Sequence, residues 1–168
     1  MHLDVMDGIF VPNKSLNFDF QLPEEAKINK ENARTGKLIY EAHLMISNPE
    51  EWIEKNHEKI DIVLVHIEAV KNKEKIIELA RSKKLQIGFA LRPETSIEEV
   101  KKYLNNIDLV LILDVTPGKY GGKLIPSALK KITKLRNLKP KFDIEVDGHV
   151  NPNTIKLMEK AGANLFVS

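Results

Sequence analysis

The stretch HLDVMDG, residues 2–8, places a histidine and an aspartate two positions apart in a largely apolar run. If this stretch begins with a strand, side chains alternate between two faces, so His2, Asp4 and Met6 share one face while the leucine and valine between them point to the other. Two potential metal ligands then lie on a single face. The stretch therefore predicts a strand with functional side chains on one face.

Apolar runs of strand length recur along the chain. Together with residues 1–6 they make seven candidate strands, the others being residues 38–46, 62–69, 85–91, 109–115, 142–146 and 163–167. Most are separated by amphipathic stretches with helix-start signals, such as SNPEEW from Ser47, TSIEEV from Thr95 and NPNTIKLMEKAG from Asn151. Apolar strands that alternate with helices are typical of a parallel sheet covered on both sides. The sequence therefore predicts an α/β protein, in which residues 16–37 hold only a short helix.

Composition narrows the classes of function. The 168 residues are 42% apolar and 30% charged, which suits one globular domain across residues 1–168. The net charge of +2 is spread along the chain, so the sequence predicts neither a nucleic-acid partner nor an anionic membrane partner. The absence of cysteine excludes disulfides and thiol nucleophiles and favours a cytoplasmic setting, and no apolar run is long enough to cross a bilayer.

Ionisable residues stand where several predicted strands end. In parallel α/β sheets, chemistry gathers at the carboxyl ends of the strands and in the loops that follow them. The second strand carries His43 and Met45 with the same spacing of two, and the sixth runs into EVDGHV with Asp147. With His2 and Asp4 these give two imidazoles and two carboxylates at one rim. Such a set suits one divalent metal ion, for example zinc, iron, manganese or cobalt, with positions left for substrate oxygens.

The third strand adds the sequence HIEA, which places His66 and Glu68 on a common strand face. These two residues fit a role behind the metal ligands or an ordinary core role as well as a catalytic one. The structural interpretation is preferred, because buried histidines on strands are most often hydrogen-bonded core residues.

A glycine-rich stretch, PGKYGG at residues 117–122, follows the fifth strand. Its backbone N–H groups, just before the next predicted helix, could approach an anion, which favours a phosphorylated substrate. An ordinary glycine-rich turn is the alternative. The spacing matches neither a Walker loop nor a dinucleotide fingerprint.

Taken together, these motifs resemble the ribulose-phosphate 3-epimerase family. The family's pattern is present in order as HLDVMDGIFVPN, EAHLMI, VHIEA, GFALRPETS, LILDVTPGKYGG, EVDGHV and AGANLFVS, across nearly the whole chain. The resemblance implies a phosphate-binding (β/α)8 TIM barrel. It also implies a divalent metal and the interconversion of D-ribulose 5-phosphate and D-xylulose 5-phosphate, a step of the pentose phosphate pathway.

The resemblance implies roles for individual residues. The positions that match the family's metal ligands are His2, Asp4, His43 and Asp147. Asp4 and Asp147 also match the acid and base that move the proton at C3. Met6 and Met45 match methionines that pack over the reacting carbons, with plain core filling as the alternative. The other substrate-binding positions that the resemblance implies are Asn13, Gly118, Gly121, Gly122 and Gly148.

Several positions depart from the family pattern. Leu113 stands where a third methionine is usual, and Asp114 follows in place of a small or hydroxylic residue. Lys119 and Tyr120 replace a single aromatic residue in the phosphate loop, and His149 replaces a glycine. If that last position needs a positive φ, His149 is strained; it could instead donate a hydrogen bond to the anion. A related epimerase that acts on allulose 6-phosphate has similar motifs, so the substrate preference stays open.

The ends of the chain also depart from the pattern. The family has a first strand and helix before HLDVMDG, and a Gly-Ser phosphate element with a final helix after the last strand. The expectation here is an incomplete barrel with two exposed edges. Such a chain is either a fragment of a longer reading frame, which is favoured, or a barrel completed by another chain, as in a homo-oligomer. A marginally stable, weakly active protein is expected, and a non-catalytic phosphosugar-binding remnant is the alternative.

Overall fold

A single parallel sheet organises the protein. The computed structural model describes residues 1–16, 38–115 and 126–168. The seven strands lie in the order in which they occur along the chain: β1 His2–Met6, β2 Glu41–Met45, β3 Ile62–His66, β4 Gln86–Leu91, β5 Leu109–Leu113, β6 Asp143–Asp147 and β7 Leu165–Val167. All six pairings between neighbours are parallel, and each predicted apolar run overlaps one strand, with β6 ending one residue beyond its run. The α/β class and the parallel sheet are thereby confirmed.

Helices connect most of the strands. They are α1 Pro49–Asn56, α2 Lys73–Ser82, α3 Glu98–Lys101, α4 Pro126–Leu138 and α5 Ile155–Ala161, with a 3-10 turn at His57–Lys59. Pro49 occupies the first turn of α1, as its fixed φ favours, and Gly162 ends α5 with a left-handed φ of 117°. The short helix predicted before β2 falls within residues 17–37, outside the described residues. Among the described helices, none is long and apolar enough to cross a membrane.

The sheet is curled, and its two faces differ. The outer face packs Val65, Phe89 and Ile112 against helical residues such as Ile76 and Ile132, in the main core. The inner face has a smaller apolar floor, formed by Leu64, Ala90, Leu109, Leu111 and Leu113. The curl is visible in one contact, because His2 on β1 lies 3.6 Å from Glu145 on β6.

Strand register sets which polar side chains meet on the inner face. Asp4 pairs with His43, and Met6 pairs with Met45, between β1 and β2. Leu113 pairs with Asp147 between β5 and β6. Because side chains alternate along a strand, residues two apart remain on the same face. Polar residues of β1, β2 and β6 therefore share the inner face, where four of them lie close together.

Candidate metal centre and active site

Four side chains from three strands form a group that we call the rim cluster: His2, Asp4, His43 and Asp147. Each offers one ligand atom, and these atoms all lie within 4.8 Å of one another. Asp4 Oδ1 is 3.3 Å from His2 Nε2 and 3.1 Å from His43 Nδ1. His43 Nδ1 is 4.0 Å from Asp147 Oδ2. The structure thus brings together the four residues that the sequence analysis predicted as ligands.

Burial gives the rim cluster a closed side and an open side. The side chain of His43 is fully buried, whereas those of Asp4 and Asp147 are 37% and 24% exposed. The imidazole therefore lies at the bottom, and the two carboxylates stand toward solvent. The carboxylates therefore form the more exposed side of the rim cluster.

Two glutamates hold the far side of His2. Glu41 Oε1 is 2.7 Å from His2 Nδ1, and Glu145 Oε1 is 3.6 Å from the same nitrogen. Neither glutamate is among the residues predicted from the sequence. A signal was present, because Glu41 stands two positions before His43 and Glu145 two before Asp147, so each shares its strand face with a predicted ligand.

A second histidine holds the far side of His43. The Nε2 atoms of His43 and His66 are 3.0 Å apart, and His66 Nδ1 is 3.1 Å from Glu68 Oε2. Both imidazoles are fully buried. The prediction that Glu68 shares a strand face with His66 is wrong, because β3 ends at His66 and Glu68 lies in the following turn. The turn nevertheless brings its carboxylate back to the imidazole.

The rim cluster fits a divalent metal ion. The buried Nε2 of His2 has no hydrogen-bond partner among the described residues, although it faces the cluster. An imidazole nitrogen without a partner beside two carboxylates is the donor set that zinc, iron, manganese and cobalt accept. In its turn, the Nδ1 contact to Glu41 fixes the ring orientation, as a metal-binding histidine requires. These four residues could hold one metal ion.

The electrostatics of the rim cluster also suit a cation. Burial alone would lower the pKa of His2, but the nearby carboxylates of Asp4, Glu145 and Glu41 outweigh it and raise this pKa to about 11. Burial opposes ionisation of Asp4, yet the contacts with His2 and His43 lower its pKa. Burial raises the pKa of Asp147. The carboxylates around His2 therefore favour a protonated, positively charged imidazole. A metal ion can take the place of this proton.

The other implied substrate residues are placed differently. Met6 and Met45 are paired neighbours on the inner face, with Met45 buried. Asn13 is exposed in the segment after β1. Gly148 follows Asp147 directly with a φ of 109°, a conformation that favours glycine. The predicted phosphate-loop positions Gly118, Gly121 and Gly122, with Lys119 and Tyr120, lie outside the described residues.

The departures at Asp114 and His149 form a pair. His149 has a φ of 50°, so the expected positive φ is confirmed and the backbone there is strained for a residue with a side chain. Its Nδ1 lies 3.3 Å from Asp114 Oδ2. The side chain of Asp114 is fully buried. Its backbone N–H donates to the carbonyl of Asp147, which ties the end of β5 to the end of β6.

Solved structures show a similar fold. A mutant tryptophan synthase alpha-subunit from the hyperthermophile Pyrococcus furiosus aligns with a TM-score of 0.62 and 20% identity, over 89% of this chain and 63% of that one. The tryptophan synthase complex from the same organism aligns with a TM-score of 0.59, 20% identity and the same two shares of each chain. The chain thus spans less than two thirds of these structures, and at this identity the likeness concerns the fold alone.

Sequence comparisons assign the family. The profile of the ribulose-phosphate 3 epimerase family matches residues 1–168. The ribulose-phosphate 3-epimerase of Bacillus subtilis (strain 168) is 37% identical over 174 residues, covering 100% of this chain and 76% of its own. The Schizosaccharomyces pombe enzyme is 32% identical over 169 residues, covering 100% and 72%. The Oryza sativa cytoplasmic isoform is 34% identical over 173 residues, with 100% and 72% covered. Since these relatives are epimerases, and so isomerases, and the profile spans the full sequence, the chain belongs to the ribulose-phosphate 3-epimerase family.

Proposed function

We propose that the chain catalyses epimerisation at C3 of a ketose phosphate, interconverting D-ribulose 5-phosphate and D-xylulose 5-phosphate with one divalent metal ion at the rim cluster. The observation that carries the proposal is that Asp4 and Asp147, from β1 and β6, reach one cluster with two imidazoles. Membership of the epimerase family supports the same substrate class.

The two aspartates account for inversion at C3. One carboxylate takes the proton from C3 on one face of the sugar, and the C–H electron pair moves toward C2 while the carbonyl oxygen takes up the negative charge. The other carboxyl group then returns a proton to C3 on the opposite face, and the C2 carbonyl forms again. Asp4 and Asp147 exchange the roles of acid and base when the reaction runs in reverse.

The remaining residues bind and orient the substrate. Met6 and Met45 offer a flexible apolar surface beside the cluster, which suits the sugar carbons and excludes water from the reacting centre. Asn13, Gly148 and the loop glycines remain the predicted contacts of the other substrate groups. The rim cluster would hold the metal, whose positive charge, when bound, stabilises the negative charge that develops on the enediolate oxygens.

Deuterium exchange tests the proposal directly. The chain, loaded with zinc, iron, manganese or cobalt, is incubated with D-ribulose 5-phosphate in deuterated water, and the products are followed by NMR. Deuterium at C3 is expected as D-xylulose 5-phosphate forms. Asp4→Asn and Asp147→Asn keep the side-chain size but remove the acid or base, so exchange should fall by about 10² to 10⁴.

Glu78→Gln, which alters an exposed carboxylate on α2, is the control and should exchange like the unaltered protein. Absence of C3 exchange with every metal contradicts the proposal. Faster exchange into D-allulose 6-phosphate assigns the hexose phosphate as substrate instead. A chain that binds no divalent metal at all favours the non-catalytic remnant.

The remaining expectations are proposals as well. We propose that residues 1–168 belong to one barrel domain of the (β/α)8 type. The naming of the rice relative as a cytoplasmic isoform supports a cytoplasmic location. Light scattering on the purified chain tests the homo-oligomer, for which the edge strands are the expected contact.

A further inference from the structure

A line of hydrogen-bonding groups runs from the rim cluster into the protein. Glu68, His66 and His43 follow one another at distances of 3.1 Å and 3.0 Å, and we call these three residues the imidazole relay. His43 Nδ1 then lies 3.1 Å from Asp4 Oδ1. The ring centroids of His43 and His66 are 5.0 Å apart with an interplanar angle of 29°, so the two rings stack in a fixed orientation.

At Glu68, the end of the imidazole relay farthest from the rim cluster, the direction of the hydrogen bonds is fixed. Glu68 Oε1 accepts from the backbone N–H of Arg92 at 3.1 Å and from the hydroxyl of Thr95. A backbone N–H can only donate, so this oxygen has to be an acceptor. Burial opposes ionisation of Glu68, but hydrogen bonds from His66, Thr95 and Arg92 outweigh it and lower its pKa to about 2. Glu68 therefore presents a carboxylate, which can only accept, to His66.

This polarity determines where each proton sits. Because Glu68 only accepts, His66 has to donate through Nδ1, and its Nε2 is then an acceptor in the neutral ring. His43 consequently donates through Nε2, which leaves its Nδ1 without a proton. Both rings are fully buried, which disfavours a charge on either of them.

The two imidazoles have fewer N–H protons than the contacts that they make, so one contact is free to accept a cation. Two neutral imidazoles carry two N–H protons, whereas three contacts join Glu68, His66, His43 and Asp4. The contact without a proton is the one between His43 Nδ1 and Asp4, inside the rim cluster. Asp4 is the more exposed of the two terminal carboxylates and also contacts His2, so it has other partners.

We propose that Glu68 and His66 are positioning residues that fix the direction of the imidazole relay and so keep Nδ1 of His43 without a proton and aimed at the metal. Carboxylates that orient metal-binding histidines are common, and their loss typically costs 10–100-fold in metal affinity. Here the carboxylate acts through a second imidazole. The inference rests on metal binding at the rim cluster, as in the proposed function.

Glu68→Gln reverses the relay without changing its size. The carbonyl oxygen of the new amide has to remain at the Arg92 N–H, so the NH₂ group faces His66 Nδ1. His66 then accepts through Nδ1 and donates through Nε2, and His43 carries its proton on Nδ1. The Zn²⁺ dissociation constant should rise about 10–100-fold.

Two control variants separate this effect from loss of charge or of a contact. Glu94→Gln removes an exposed carboxylate that acts on His66 through its charge. Thr95→Val removes one hydrogen bond to Glu68 and leaves the Arg92 N–H in place. Both variants keep the direction of the relay, so both should bind Zn²⁺ nearly as tightly as the unaltered chain.

Two measurements read the result. Long-range ¹⁵N NMR on the metal-free chain assigns the protonated nitrogen of His43, and calorimetric titration gives the Zn²⁺ affinity. We expect a proton on Nε2 in the unaltered chain and on Nδ1 in Glu68→Gln, with the weaker affinity in that variant alone. An unchanged His43 tautomer in Glu68→Gln, or equal affinity in all three variants, overturns the proposal.

A second pair of variants covers failure of Glu68→Gln to fold. An amide at position 66 can donate to Glu68 and accept from His43, so His66→Gln should retain Zn²⁺ binding, whereas His66→Leu should lose about 10–100-fold. Equal loss in both variants contradicts a positioning role. If the unaltered chain binds no Zn²⁺, the metal part of the proposed function fails, while the NMR result still decides the direction of the relay.

Discussion

Asp7 joins the loop after β1 to the loop after β2. Its Oδ1 accepts from the N–H groups of Ile9 and Phe10, both at 2.8 Å, and its Oδ2 accepts from the N–H and the hydroxyl of Ser47, both at 2.7 Å. Asp7→Asn places an NH₂ group against donors, so we expect the free energy of unfolding to fall by about 2 kcal/mol. Urea denaturation at pH 7 measures this change. The control is Asp143→Asn at the exposed first residue of β6, where an amide oxygen can still accept from Asn164. Equal stability of Asp7→Asn and the unaltered chain would contradict this role.

The same carboxylate predicts a pH dependence. Burial would raise the pKa of Asp7, but hydrogen bonds from Ser47, Phe10 and Ile9 outweigh it and lower the pKa from 3.8 to about 2. Because the folded pKa lies below the unfolded one, the stabilisation is complete above about pH 4 and is lost as the pH falls toward 2. The stability difference between the unaltered chain and Asp7→Asn should shrink across this window in urea denaturation. A difference that stays constant there contradicts the prediction.

The residues of the rim cluster could be found from the sequence because they obey a simple period. His2 and Asp4 are two apart on a strand, His43 and Met45 repeat that spacing in a second apolar run, and Asp147 directly follows a third. The residues that contact the rim cluster from behind could be predicted from the sequence only in part. Glu68 lies in a turn, where the alternation of side chains along a strand does not apply. The contact between His43 and His66 depends on the register of β2 against β3, which the sequence pattern does not give.

At the level of elements, β4 needs a glycine on the inner face. A Cβ at Gly88 would lie 2.6 Å from Leu64 Cδ2 and 2.8 Å from Leu109 Cγ, closer than packed side chains allow. Gly88→Ala should therefore lower the free energy of unfolding by about 1–3 kcal/mol through overpacking. Chemical denaturation measures the change.

The double variant Gly88→Ala/Leu109→Ala provides the control. Truncation of Leu109 removes both of its atoms that crowd the new Cβ, so the effects of the two substitutions should not add, and the double variant should be more stable than their sum predicts. Strict additivity would show that the packing at β4 does not require glycine.

Arg136 connects α4 to the strands on either side of α5. Its Nη1 donates to the carbonyls of Pro140 and Phe142, and its Nε donates to the carbonyl of Gly162 at 2.8 Å. Lysine lacks this planar fork, so Arg136→Lys should destabilise the fold by about 2 kcal/mol although it keeps the charge. Urea denaturation beside Lys130→Arg, an exposed position on the same helix, tests it. A similar unfolding free energy for both variants would contradict the prediction.

Elements were easier to predict than their ends. All seven apolar runs overlap strands, but β2 begins at Glu41 although the apolar run starts at residue 38. The hydrogen-bond ladder, rather than hydropathy, sets that boundary. Pro49 and Gly162 marked helix ends correctly because proline and glycine restrict or permit particular backbone angles.

For the whole molecule, alternation of strands and helices predicted the parallel sheet, because parallel neighbours need a crossover between them. The strand order β1 to β7 agrees with the general rule that consecutive strands tend to lie side by side. The degree of curl was not predictable from periodicity, since it depends on how the inner side chains pack. Gly88 and the small Ala90 illustrate this, because they let neighbouring leucines fill the inner floor.

A bound metal should stabilise the entire curled sheet. The rim cluster links β1 and β2 to β6, while among the described residues no backbone pairing joins β1 to β7. At a Zn²⁺ concentration 100 times the dissociation constant, the free energy of unfolding should rise by about 2.7 kcal/mol, because the ion binds only the folded chain. Melts followed by circular dichroism, with Zn²⁺ or with a chelator, measure the shift. Asp147→Asn should abolish it and Glu78→Gln should not; an equal shift in both variants would place the stabilising ion elsewhere.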